Sequence, residues 1–134
     1  MADLIPKFYK KSITDALAAA TLKLALFTNS YTPSANTDEL YSGLSGEVSS
    51  SGTGYTTGGA TVASKASAYI DTTNAALDAA NVAWSSATFT ARYGVLYNTA
   101  DSKIIAVYDF GGDKAVTGGT FTVTWNASGL VKVS

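Results

Sequence analysis

The chain has no cysteine and no histidine, and Arg92 is its only arginine. Those absences remove disulfides, thiolate and imidazole metal sites, and the commonest general base of enzyme chemistry. Charge is also scarce. Only 14 % of residues are charged and the formal net charge is −1, against about 25 % charged in ordinary soluble domains. No block of like charge is present, so bulk attraction to nucleic acid or to an anionic membrane has no source. No apolar run nears the roughly 18 residues that span a bilayer. Residues 1–11 lack the apolar centre of a secretion signal, so the expectation is a soluble protein made in the cytoplasm. With two prolines, little interrupts a sheet.

What the chain does have is hydroxyls and alternation. Serine and threonine number 33 in 134 residues, enough to carry surface polarity without charge. In Thr120-Phe121-Thr122-Val123-Thr124-Trp125 the apolar side chains fall on one face and the threonines on the other. Side chains alternate across a strand, so this is a strand with one buried and one wet face. The same period places strands at Leu22–Phe27, Thr61–Ile70, Leu77–Trp84, Phe89–Tyr97, Lys103–Phe110 and Leu130–Val133. Lys103–Phe110 pairs in a hairpin with the strand before it, across the turn Asn98–Ser102. Gly111-Gly112 and Gly118-Gly119 read as turns before the Thr120 strand.

The first twenty residues differ. Pro6 suits a first helical position, Ser12 and Asp15 match the S-x-x-D cap spacing, and Ile13, Leu17 and Ala20 recur at helical spacing. Residues 6–20 are therefore expected to form one amphipathic helix, part of an N-terminal arm over 1–20. Residues 29–60 lose periodicity into Ser, Thr, Gly and Asn, with a short helical turn at 38–44. A loop that long tends to carry function. It is expected to serve as a contact surface, so that deleting part of 49–59 leaves the fold largely intact yet weakens attachment to a partner. The whole is expected to be one mainly β domain over 1–134, an antiparallel β-sandwich or jelly-roll-like barrel with a short N-terminal helix.

Few motifs carry chemistry. Gly52-Thr53-Gly54-Tyr55-Thr56-Thr57-Gly58-Gly59 misses the dinucleotide fingerprint by one position and lacks the Gly-Lys-Ser/Thr of a phosphate loop. Asp109 and Asp113 flank a Gly-Gly step that does not fix a carboxylate pair. No calcium-loop spacing occurs, and Asn126-Ala127-Ser128, a glycosylation sequon, reads as a turn. No enzyme activity, cofactor or metal is expected. Two features point to a partner. Lys7-Phe8-Tyr9-Lys10-Lys11 mixes aromatics with three lysines, suited to an acidic surface, and Arg92 is of the type enriched in interface hot spots. Tyr41 and Tyr55 in the long loop complete the candidate interface: Lys7, Phe8, Tyr9, Lys10, Lys11, Tyr41, Tyr55 and Arg92.

Six stretches in order carry a family resemblance. They are Leu24-Ala25-Leu26-Phe27-Thr28-Asn29-Ser30-Tyr31-Thr32-Pro33, the Gly52–Gly59 segment, Val82-Ala83-Trp84-Ser85, Thr90-Ala91-Arg92-Tyr93-Gly94-Val95-Leu96-Tyr97, Tyr108-Asp109-Phe110-Gly111 and Phe121-Thr122-Val123-Thr124-Trp125-Asn126. Their succession resembles small tailed-phage virion proteins of the capsid cement, or decoration, kind. The resemblance implies a protein on the capsid surface that binds the major capsid protein, bridges neighbouring capsomers and self-associates as a dimer or trimer. It implies no catalytic residue and no nucleic-acid or membrane partner. The alternative is a tail or head fibre module that binds a host surface glycan or protein.

Overall fold

The computed structural model describes residues 6–125 and 129–133. Helix α1 (Lys7–Ala19) leads into β1 (Leu22–Phe27), then a single 3-10 turn at Tyr41–Gly43. Strands β2 (Ala60–Thr61), β3 (Ala66–Tyr69), β4 (Ala75–Asp78), β5 (Val82–Asn98), β6 (Ile104–Val123) and β7 (Val131–Val133) follow. They form two antiparallel sheets, ordered β2-β1-β5-β6 and β3-β4-β7, in a sandwich-like arrangement with the helix packed on the smaller sheet. The expectation of a mainly β, sandwich-like fold with one N-terminal helix holds.

Strand β1 lies between β2 and β5 and is buried on both faces. Leu22, Leu24 and Leu26 point into the main core with Val62, Leu77, Trp84, Leu96 and Leu130. Ala25 and Phe27 point the other way, into a second core with Tyr31, Val95 and Tyr97. Two-sided burial explains why this strand reads as a near-continuous apolar run.

Strands β5 and β6 form one long hairpin, and the glycine pairs are not turns between strands. Register shifts interrupt the ladder between Trp84 and Ala87, at Ala87/Thr88, between Ala91 and Tyr93, and at Leu96/Tyr97. Tyr93 pairs with Asp109 and Ala91 with Lys114, so β6 carries extra residues around Gly111 opposite Arg92. Gly111 (φ +84°) and Gly118 (φ +61°) supply the left-handed backbone such bulges need. Bulges bend a strand, and the bend brings Phe110 within 6.1 Å of Phe121 and Tyr108 within 5.4 Å of Trp125. The expected Lys103–Phe110 and Thr120–Trp125 strands are thus two halves of one bent strand.

Two other expected strands divide. Val62 is buried beside β1, whereas Ser64 turns the chain at φ +56° and β3 begins at Ala66 in the other sheet. Leu77 belongs to β4 and Trp84 to β5, with the crossing at 79–81. The helix also rotates relative to expectation. Thr14 is its buried residue, bonded at 2.6 Å to the Ser67 hydroxyl, while Ile13 is exposed. Ser12 sits inside the helix, donating to the Phe8 carbonyl, and Pro6 occupies the cap position with no side-chain cap bond. The 126–128 turn lies outside the described residues.

Leu24→Ala removes a fully buried side chain from the centre of the main core. The expected loss is about 2–5 kcal/mol, read as a lower urea midpoint at unchanged slope.

Candidate interaction surface

The 29–60 segment is anchored in the core at a few points, while more than half of its residues stay exposed. Tyr31 and Val48 are buried, and Tyr55 is only 2 % exposed. Gly59 lies so close to β1 that a Cβ there would meet the Leu24 carbonyl oxygen at 1.9 Å. A deletion that takes in Tyr55 or Gly59 would therefore remove a core contact, whereas 49–52 are exposed.

Glu47 holds this segment together. Its carboxylate accepts from the Tyr41 hydroxyl at 2.6 Å, the Tyr55 hydroxyl at 2.5 Å and the Gly58 amide at 2.9 Å. The Tyr55 hydroxyl also accepts from the buried Leu26 amide at 3.0 Å, joining the hub to β1. Tyr41 stacks on Tyr97 with ring centroids 4.2 Å apart, and the Tyr97 hydroxyl donates to the Gly58 carbonyl. Burial first, then the Glu47 carboxylate, pushes the Tyr41 and Tyr55 phenols well above their ordinary range. Tyr31 is raised in the same way by burial and Asp38, and Tyr108 by burial alone.

Two candidate interface residues are corrected by this geometry. Tyr55 is a core residue and has no surface to offer a partner. Tyr41 is half-buried, its ring face taken by Tyr97 and its hydroxyl by Glu47. Arg92 stands apart, pairing through Nε with Asp109 at 3.1 Å and lying over the Tyr93 ring. Its guanidinium and the Gly111 amide hold the Asp109 carboxyl below its usual range. An exposed pair of this kind is worth about 0–1 kcal/mol; its place opposite the Gly111 bulge makes it a brace for the bend.

The other five residues are consecutive on α1 and go round it: Lys7, Phe8 and Lys11 lie against Tyr69, Lys10 reaches the Thr73 carbonyl, and Tyr9 faces out. Phe8 is 69 % and Tyr9 65 % exposed. Ile13, one turn after Tyr9, Tyr69 at the end of β3 and Ile70 just past it are also exposed. Of the six large apolar side chains exposed among the described residues, these are five; Leu40 is the sixth. Phe8 meets Tyr69 edge-on at 6.3 Å, and the Lys7 ammonium lies 5.0 Å from the Tyr69 ring centre. Lys10 donates to the Thr73 carbonyl and Lys11 pairs with Asp15. Asp71 closes the 71–74 turn by accepting from the Thr73 and Asn74 amides, and those bonds hold its carboxyl down at about 2.

Tyr69, Ile70 and Ile13 were missed as surface residues. Alternation from Val62 sets Ala66, Ala68 and Ile70 on the Val62 face, and the turn at Ser64 breaks that period. Ile13 shared helical spacing with Leu17, a signal that could not anticipate a threonine facing inward.

Catalytic and metal chemistry has little to build on here. Among the described residues no three acidic side chains gather to hold a metal ion. A shallow hollow of about 410 Å³ between 33–38 and Ile104–Val107 holds one carboxylate, Asp38. That carboxylate already accepts from the Tyr31 hydroxyl and the Ser34 amide. No family model matches the chain, and no curated protein or solved structure does either.

Tyr55→Phe leaves the buried Leu26 amide without its acceptor and Glu47 without a donor. The expected cost is about 1–3 kcal/mol, measured by urea unfolding. Alkaline titration tests the hub as a whole. A phenol raised in the folded state stabilises fully below its unfolded value of about 10 and loses that contribution as pH rises toward its folded value. The melting temperature should therefore fall above about pH 10. Part of the tyrosinate absorbance should appear only with unfolding.

Proposed function

We propose that this protein is a tailed-phage capsid cement protein. It binds the outer face of the shell through the α1–β3 patch and bridges neighbouring capsomers. The observation that carries the reading is that five of the six exposed large apolar side chains among the described residues fall on α1 and the end of β3, with Lys7, Lys10 and Lys11 on the same helix. Aromatic anchors beside cations are the composition of interface hot spots, and three lysines suit an acidic partner such as a surface of the major capsid protein. The ordered resemblance of the six segments to cement proteins supports the same assignment.

Adhesion needs no catalytic group, and the proposal includes none, nor a cofactor, nucleic acid or membrane partner. A small patch suffices when a lattice repeats the partner site, because a copy held at one point rebinds its neighbour at high effective concentration. Self-association on the particle adds to that effect. The fibre alternative places a few copies at a tail or vertex, whereas cement occupies as many positions as the shell lattice offers.

Phe8→Ala with Tyr9→Ala tests the assignment. Both side chains are exposed, so stability should stay within about 0.5 kcal/mol per site. Co-sedimentation with emptied capsids should weaken by at least about tenfold, the loss of one hot spot. Full retention on capsids, or particle density for this chain at a tail tip alone, refutes the proposal.

A further inference from the structure

The outer edge of β6 is an open template. β6 is the last strand of the larger sheet and pairs only with β5. At its start the edge is closed: Tyr41 donates to the Ser102 carbonyl at 2.8 Å and Ile104 to the Glu39 carbonyl at 2.9 Å. Past Ile104, among the described residues, no backbone group bonds to that edge. Proteins blunt such edges with charges, bulges or covering segments. From Asp109 to Lys114 that protection is present, with Asp109, Asp113, Lys114 and the Gly111 bulge. From Ala115 to Val123 the sequence is Ala-Val-Thr-Gly-Gly-Thr-Phe-Thr-Val, with no charge and no proline, and its only protection is the Gly118 bulge.

We infer that this edge is a self-association site, where Ala115–Val123 pairs antiparallel with the same segment of a second copy about a twofold axis at Thr120. The register argues for a copy over an unrelated chain. With Thr120 facing itself, Phe121 lies opposite Gly119 of the second copy, where a ring covers a residue without a side chain. With Gly118 as the extra residue of its bulge, Thr122 lies opposite Thr117 and Val123 opposite Val116. Every pair shares a face: Val116, Gly119, Phe121 and Val123 are the less exposed set, and Thr117, Thr120 and Thr122 are exposed. Threonine opposite threonine and valine opposite valine are favourable cross-strand pairs.

Charge agrees with the same register. Carried two residues further, it sets Lys114 against the Trp125 ring of the second copy rather than against another lysine, an attraction of cation and ring. No like charges meet. A partner selected by charge finds nothing to recognise between Ala115 and Thr124. A twofold contact needs only one self-complementary patch, and here the patch complements itself residue by residue. The larger sheet then runs through both copies, and the α1–β3 surface takes no part in the pairing.

The intact protein, which has no cysteine of its own, makes a direct test possible. Thr120→Cys places two thiols at the axis, within the separation a disulfide bridges. Mild oxidation should give a covalent dimer far faster than Ser50→Cys, a control on another exposed loop. Thr117→Lys with Thr122→Lys sets like charges opposite each other twice, and the dimer dissociation constant from sedimentation should rise about tenfold. Thr117→Lys with Thr122→Glu, equally foreign to the fold, should restore dimerisation. A wild-type protein that stays monomeric at all concentrations overturns the inference. So do equal cross-linking rates for the two cysteine variants, or a dimer indifferent to both double substitutions.

Discussion

The two-sided burial of β1 is the constraint from which the rest of the molecule follows. A strand with Leu22, Leu24 and Leu26 on one face and Ala25 and Phe27 on the other cannot lie at a surface. Each face needs its own cover. The first is met by the smaller sheet through Leu77 and Leu130, with α1 adding Leu17 and Ala18. No sheet covers the second, and the chain supplies Tyr31, Tyr41 and Leu44 from the segment after β1. A long connection that reads as a loop is therefore one wall of the protein, held by scattered aromatic contacts in place of a ladder.

A wall without a ladder must satisfy its backbone and polar groups some other way. The Glu47 carboxylate meets that need by accepting two phenols and an amide, and Tyr55 passes the connection to the Leu26 amide in β1. A partly buried carboxylate is costly unless its acceptor sites are filled, so the hub is stable only when the whole segment is seated. Folding of the 29–60 wall is thereby coupled to folding of β1. The two tyrosines that looked like free binding residues are occupied in this network.

The parts legible in the sequence are those where a period runs uninterrupted. β1, the Thr120–Val123 end of β6 and the span of the helix lie where alternation or helical spacing placed them; the Phe89–Tyr97 strand forms, but a register shift at Arg92 sends Phe89 and Ala91 into the main core and Val95 and Tyr97 into the second. Legibility ends where one residue resets the period. Ser64 separates Ile70 from the face of the buried Val62, and Gly111 and Gly118 turn two expected strands into one bent strand. Tyr31, Val48 and Tyr55 were illegible for another reason. Each is a single apolar residue in a Ser, Thr and Gly background, so no spacing connects it to its neighbours. The exposure of Phe8 and Tyr9 was legible from the lysines beside them; Tyr69, which Phe8 meets edge-on, comes from a strand that must fold first.

The helix shows how packing within the monomer leaves apolar side chains outside. Its inward face is built from Thr14, Leu17, Ala18 and the lysine stems, while Phe8, Tyr9 and Ile13 face out. Rotating the helix to bury those three would expose Leu17, Ala18 and Thr14 and break the bond to Ser67. Burying a large apolar side chain is worth about 1.5–3 kcal/mol and one hydrogen bond nets about 1 kcal/mol, so what the rings gained would be offset by what Leu17, Ala18 and Thr14 lost. The orientation follows from packing against β3 and β4, and Phe8, Tyr9 and Ile13 are what that packing leaves outside.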